Sequence, residues 1–368
     1  MSQRRIPYGV ALASRLMRGR VFNADLMSQA EFDLHRMRAR KVLVVRTNQR
    51  LGNTLLASPS VEFANRAFPF AQVHFLAHRN TRTLLDGLGI ARFHEFHREM
   101  LYKPWRLLSL LRSVESEAYD VIIDGGFGAK VDGLLVALAS SPCKMGVRSS
   151  GRTTAYSRPI PMPPKRGHRE QRWAHMASHM GIDMAPPRMR LNLTAMELRS
   201  ARSWMDAHDL VPEREPIVMV FPAGRSRKGK RWPVEKYMET ARLLAAAGVR
   251  IVIPLGPDER SMQSQIERMA PAGTVVLEPM PFRNVSAILA QCNLYVGADT
   301  GLMHAACALH VPALAVFLKN NWDRWGPLPD RGKVFGEAAA RSPHELAAEA
   351  VAMLDTQKDS AFRLYALG

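Results

Sequence analysis

Residues 294–317 read LYVGADTGLMHAACALHVPALAVF. A short apolar run ends at Ala298, and Asp299, Thr300 and Gly301 make a turn. A helical pattern then starts at once and yields, past His310 and Pro312, to a second apolar run. Two buried strands separated by one helix pair in parallel, which implies a sheet covered on both faces. The turn itself allows two readings. The free N–H groups and positive dipole end of a helix that opens on Gly301 make an anion site, with Thr300 as a hydroxyl donor. Alternatively, Asp299 or Thr300 caps its own helix.

The same alternation extends in both directions. Toward the C-terminal half it starts at PIVMVF (216–221), with helix 234–247, strand RIVIPL, helix 258–269, strand TVVLE and a short helix near 284–290. An earlier array runs from KVLVV (41–45) through helix 54–67, QVHFLA, a short helix at 81–88, RFHEF and helix 104–117. YDVIID and a helix near 130–140 close it. Residues 158–171, RPIPMPPKRGHREQ, read as an exposed proline-rich loop. Helices near 170–181 and 195–208 lie around the join at 185–215. The expectation is α/β, with two doubly wound domains whose ligands bind beyond the carboxyl ends of the strands, in the cleft between them.

With 368 residues the chain has room for two cores, and 47% apolar with 23% charged residues is globular composition. Its net charge of +18 favours anionic partners. No basic stretch interleaved with exposed aromatics and no known module was found, so nucleic acid is not expected as a partner. Cys143, Cys292 and Cys307 are expected to be reduced core residues, as in a cytoplasmic protein. No apolar run reaches the length of a membrane span, and MSQRRIPYG lacks the apolar core of a signal peptide. Residues 1–40 form a basic, weakly amphipathic extension. It is either an additional helix or an interfacial segment leaning on anionic lipid.

Two further stretches carry chemistry. In FPAGRSRKGKRWPVEKY (221–237), a strand ends in a glycine turn holding Arg225, Arg227, Lys228, Lys230 and Arg231. That is a solvated charge run or, at a strand's carboxyl end, a diphosphate site, and the position favours the second. In VVRTNQRLGNTLLASP (44–59), a strand meets a basic, amide-rich turn built around Gly52, with Asn53 at its tip. DGGFGAK (124–130) lacks proper dinucleotide-motif spacing and reads as a tight strand-to-helix turn. No metal motif and no His/Cys cluster with ligand spacing is present.

Taken together, RLGNTLLASP (50–59), KRWP (230–233), PLGPDE (254–259), DTGLMHAACALHVP (299–312) and WGP (325–327) resemble glycosyltransferase family 9, the ADP-heptose:lipopolysaccharide heptosyltransferases. The resemblance runs in order over about residues 41–330, and its C-terminal signature is the most specific part. It implies a GT-B fold of two Rossmann-like domains. These are an acceptor domain over 41–190 and a nucleotide-sugar domain over 191–340, followed by a C-terminal helix over 341–368. It further implies an inverting transferase that takes a sugar from an ADP-sugar donor to an anionic, lipid-linked glycan. Such an enzyme would work at the cytoplasmic side of the inner membrane, with peripheral membrane contact.

Carried over by position, Lys230, Arg231 and Ser226 would lie on the diphosphate loop, with Lys230 holding the diphosphate. Thr300 and Gly301 would bind it through the helix start, and Asp299 would contact the donor sugar or its phosphate. His304 would contact phosphate or pack, and Glu259 would lie near the ribose. Arg50 and Gly52 would lie on the acceptor side. Cations and a helix terminus can stabilise a leaving diphosphate, so no metal or other cofactor is expected.

One position departs from the family. Where the resemblance implies an aspartate as general base, this chain has Asn53. A carboxamide has no useful basicity near neutral pH. Either another group serves, with Asp124 the first candidate, or Asn53 only orients the acceptor in a slower reaction, or the protein binds without transferring.

Overall fold

The computed structural model describes residues 25–148, 155–164, 167–222, 232–256 and 259–366, with side chains as far as residue 356. Two compact units result. The first runs to residue 192 and the second from 193, with the stretch 166–168 grouping with the second. Each is built on a parallel sheet of six strands.

In the first unit these are β1 (Lys41–Arg46), β2 (Gln72–His78), β3 (Arg92–Phe96), β4 (Val121–Asp124), β5 (Cys143–Val147) and β6 (Arg158–Ile160). Their order is β3-β2-β1-β4-β5-β6. The second unit has β7 (Ile217–Phe221), β8 (Arg250–Pro254), β9 (Val275–Leu277), β10 (Leu294–Ala298), β11 (Ala313–Val316) and β12 (Gly332–Phe335). Its order, β12-β11-β10-β7-β8-β9, is the same doubly wound pattern.

Burial on both faces explains the unbroken apolar runs. Val42 and Val44 of β1 point to the helices Pro59–Ala67 and Gln171–Ser178, in a core with Phe63 and Trp173. Leu43 and Val45 point the other way, to Pro104–Glu115 and Lys130–Leu138, in a core with Leu107, Leu111 and Val136. In the second unit, Val218, Val220, Val296 and Val316 pack against Tyr237 and Ala241 of the helix Val234–Ala246. The same core takes Leu346, Ala350 and Leu354 of the long helix Pro343–Ala366. Cys143, in the first unit's core, and Cys292 and Cys307 are all buried free thiols.

Three strands lay outside the sequence reading, and one of them corrects it. Arg158–Ile160, expected to belong to a loop, pairs in parallel with β5 in the register Met145↔Arg158 and Gly146↔Pro159. Proline is tolerated there because β6 is the edge strand. β5 and β12 also escaped, being short runs broken by glycine or lysine. The helix expected over 54–67 is two helices, Leu51–Leu55 and Pro59–Ala67, the second opening with Pro59 at its first position.

Of the N-terminal forty residues, 1–24 lie outside the described residues, so the interfacial reading of that part is untouched. The described remainder does not stand apart as an extension. Ser28 and Glu31 form a capping box for the helix Gln29–Arg38, and Phe32 is buried in the first unit's core. His35 Nε2 hydrogen-bonds the Asp120 carbonyl at 2.9 Å, and Arg36 donates to the Ala67 carbonyl. Among the described residues, no helix is long and apolar enough to cross a membrane.

Candidate functional site

A doubly wound sheet opens a crevice where its strand order reverses, beyond the carboxyl ends of the two central strands. In the second unit those strands are β7 and β10, paired in the register Val220↔Val296 and Phe221↔Gly297. β7 leads into the basic loop, and β10 into Asp299, Thr300 and the helix Gly301–Ala308. Ser226, Lys230 and Arg231 lie outside the described residues. The loop's far end is Trp232, fully buried against Tyr237 and Phe335. The indole N–H of Trp232 donates to the Ala338 carbonyl at 2.7 Å.

The helix start at Gly301 excludes one form of the capping reading, that through the Thr300 side chain. Thr300 occupies the N-cap with extended backbone, yet its side chain makes no capping hydrogen bond. Its hydroxyl lies 3.3 Å from the Tyr295 hydroxyl, which also donates to the Ala298 carbonyl at 3.2 Å. Tyr295 is fully buried, and burial raises its phenol well above the usual range, so it stays a neutral hydrogen-bonding group. The Thr300 side chain thus does not cap its own helix, and the N–H groups of a helix start suit an anion.

Close packing brings the backbone there. A Cβ on Gly297 would lie 2.8 Å from the Phe221 carbonyl oxygen and 2.6 Å from the Tyr295 hydroxyl, so only glycine fits at this point of the strand. At the helix's other end Arg331 donates to the Cys307 carbonyl at 2.5 Å, a cation where the dipole favours one.

Asp299 is mostly enclosed, and its carboxylate lies 4.0 Å from Nε2 of the buried His304, one turn into the helix. Glu259, expected near the nucleotide ribose, is buried with its carboxylate against Gly256, and the Phe221 ring also lies near that glycine. Asp299, Thr300, Gly301 and His304 therefore share one end of the sheet, and the β8 end brings Glu259 to the same edge. Tyr295 was missed in the sequence; a tyrosine two residues before a strand glycine carries no signal of its own.

In the first unit the reversal lies between β1 and β4, in the register Val45↔Asp124. Gly52 and Asn53 do not form an open turn. They sit in the first turn of the helix Leu51–Leu55, after an Asx-type bond in which the Arg50 N–H donates to Asn48 Oδ1 at 2.9 Å. Arg50 is exposed, and Asn53 is half-buried and its side chain makes no hydrogen bond to any described residue.

Asp124 lies behind this turn, not on its surface. It is fully buried, with Oδ2 accepting from the Tyr156 hydroxyl at 2.6 Å and Oδ1 from the Gly126 N–H at 2.7 Å. Burial, followed by the nearby Asp132 charge, raises its carboxyl to about 6, against the opposing hydrogen bonds. That basicity suits a general base. Its enclosure does not, since one oxygen holds the glycine turn through Gly126 and the other is taken by Tyr156.

Asp132 was also missed in the sequence. Buried as well, it accepts from the Thr47 N–H at 2.9 Å, from the Thr47 hydroxyl, and from Arg46 at 3.1 Å. It ties the end of β1 to the helix after β4. A Cβ on Gly126 would collide with Asp132 and come within 2.8 Å of Asp124 Oδ1, so DGGFGAK is a packing turn.

A pH prediction follows from Asp124. Its folded carboxyl titrates above the unfolded one, near 3.8, so its stabilising contribution is complete at low pH and is lost as pH rises through about 6. Asp124→Asn should remove that loss. Relative to the variant, the wild-type melting temperature should fall between about pH 4 and pH 7, as thermal melts at several pH values would read.

Residues 107–351 match the family model described as glycosyltransferase family 9 (heptosyltransferase). Lipopolysaccharide heptosyltransferase 1 of Escherichia coli K12 is 34% identical over 98 residues, 27% of this chain and 31% of the relative. The chain thus aligns with about a third of that relative's length. Lipopolysaccharide heptosyltransferase 3 of Escherichia coli is 21% identical over 290 residues, 75% of this chain and 83% of the relative. Among solved structures, the E. coli heptosyltransferase WaaC with ADP-2-deoxy-2-fluoro heptose superposes with a TM-score of 0.64 at 22% identity. That match covers 86% of this chain and 99% of the other. The shared fold is GT-B, two Rossmann-like units in one chain.

Proposed function

This chain belongs to glycosyltransferase family 9, the heptosyltransferase family, and from that premise we propose that it transfers heptose or a related sugar from an ADP-sugar to a lipopolysaccharide-core or related glycan. In this reading the second unit holds the nucleotide-sugar and the first the acceptor. The work is done at the cytoplasmic face of the inner membrane. The relative solved with an ADP-heptose analogue supports the donor class. The observation that carries the reading is the start of the helix Gly301–Ala308, which the Thr300 side chain does not cap, beside the strand that feeds the basic loop.

In the reaction an acceptor hydroxyl oxygen forms a bond to the anomeric carbon, and the bond from that carbon to the diphosphate oxygen breaks. ADP leaves with the electron pair, and the hydroxyl's proton passes to solvent water or to the departing diphosphate, which becomes the more basic group as the bond breaks. The N–H groups of the first helical turn, with Lys230 and Arg231, stabilise the charge that grows on the departing diphosphate, without a metal. Asn53 orients the acceptor hydroxyl and does not take its proton, since a carboxamide cannot. A second reading, nucleotide-sugar binding without transfer, is favoured by the enclosure of the neighbouring carboxylates Asp124 and Asp132.

ADP release from ADP-heptose in the presence of core acceptor tests the proposal. Release above a Lys230→Ala control, unchanged by EDTA, supports metal-free transfer. ADP binding without release supports the second reading, and neither binding nor release across several donors defeats both.

Replacing Thr300 with Asp tests the helix start separately. An aspartate at an N-cap with extended backbone bonds its own helix and places negative charge where diphosphate would sit. ADP affinity should fall about 10- to 100-fold, the worth of a charge-assisted hydrogen bond or two. Stability should hold or rise. Calorimetric titration with ADP and a thermal melt separate this outcome from simple misfolding.

A further inference from the structure

We infer that the first unit carries a docking surface for an anionic lipid bilayer, formed by the segment after β3 and the outer face of the helix Pro104–Glu115. The helix buries Leu107, Leu110, Leu111 and Val114 in the core. That satisfies its inner face, so folding does not account for what lies outside. Trp105 is 66% exposed, Tyr102 63% and Leu108 38%, among the largest exposed hydrophobic groups described. Trp105, Leu108 and Arg112 follow at i, i+3 and i+7, one stripe along the helix, with Tyr102 just before its start.

Cations surround the aromatics. Arg98, Arg106 and Arg112 are exposed and Lys103 is partly so, while Glu99 lies 3.7 Å from both Lys103 and Arg106. Four cations against Glu99 and Glu115 leave the surface basic.

This composition chooses the occupant. Indole and phenol rings with one apolar side and one polar tip settle at the boundary between headgroups and acyl chains. Lysine and arginine beside them keep their charge in the headgroup layer, where anionic lipid attracts it. Leu108 in the same stripe suits acyl chains better than nucleobases, which stack on aromatic platforms. A net charge of +18 adds long-range attraction to the same kind of surface.

The strands of this sheet are parallel, so the patch rises from the edge at which the Asn53 helix leaves β1. A protein resting on it would present that edge to the membrane. The inference does not depend on the transfer reaction, because vesicle binding is read without substrate.

The test is flotation of the full chain with vesicles of phosphatidylglycerol and phosphatidylcholine, or of phosphatidylcholine alone. Binding should require the anionic lipid and weaken with salt. The double variant Tyr102→Ala/Trp105→Ala should lower the partition coefficient about tenfold or more, and Arg106→Glu should lower it with both aromatics intact. Melting temperatures should be unchanged, since these side chains are exposed. Full binding by both variants would overturn the inference and place any membrane contact elsewhere, as in the basic residues 1–24. Absent vesicle binding would overturn it too. Concentration-dependent dimerisation or oligonucleotide binding that the double variant abolishes, without vesicle binding, would reassign the patch to a second copy or to nucleic acid.

Discussion

Asn53→Asp should raise the rate of sugar transfer by about 10²- to 10⁴-fold, the usual contribution of a positioned general base. The geometry favours the replacement. Asn53 is half-buried in the first turn of the helix Leu51–Leu55 and its side chain makes no hydrogen bond to a described residue, so the near-isosteric exchange breaks none. A carboxylate in a helix's first turn is also favoured by the dipole, so stability should hold or rise slightly. Steady-state ADP release, measured for wild type and variant at saturating donor, reads the effect. An unchanged rate in a variant that still binds ADP would mean that position 53 does not face the acceptor. A wild-type rate of zero with clear activity in the variant would identify the natural protein as a binder.

Trp232→Ala should cost about 3–5 kcal/mol of stability, as expected for removing the largest buried side chain from a packed core. Trp232 is fully enclosed, contacts Tyr237 and Phe335 edge-on with ring centroids 5.1 and 6.0 Å away, and satisfies the Ala338 carbonyl through its indole. Truncation opens a cavity and leaves that carbonyl without its donor. The consequence reaches the site, because Trp232 is the anchored end of the loop that holds Lys230. ADP affinity should therefore fall even at temperatures where the variant stays folded. Trp232→Phe should recover much of the packing but not the hydrogen bond. Chemical denaturation with calorimetric ADP titration would show whether stability and affinity fall together.

Residues 41–46 show why much of the fold was legible. A strand buried on both faces must be apolar at every position, and the run KVLVVR followed by a helical period can be read directly. The same holds for 294–298 and the helix after it, where an eight-residue helix begins at Gly301 as the pattern implies. Arg158–Ile160 shows the limit. Nothing local in RPI distinguishes an edge strand from a proline-rich loop, and its pairing with Cys143–Val147 is a nonlocal event. Gly52 was misread for a related reason: glycine permits a turn without requiring one, and here it takes helical backbone.

For the site, sequence alone determined the alternation of strands and helices, the position of the helix that starts at Gly301, the basic loop ending at Trp232, and the amide at position 53. Local chemistry suffices for these, since periodicity and residue type are written along the chain. Only the tertiary structure decided what those groups do. It turned the Thr300 hydroxyl to Tyr295 and away from its own helix, enclosed Asp124 between Tyr156 and Gly126, and tied Asp132 to Thr47. It also left Trp105 and Tyr102 outside a helix whose inner face was already filled. Burial and hydrogen-bond partners come from residues distant in sequence. They set whether a carboxyl is a base or a brace, and whether an aromatic ring is core or surface.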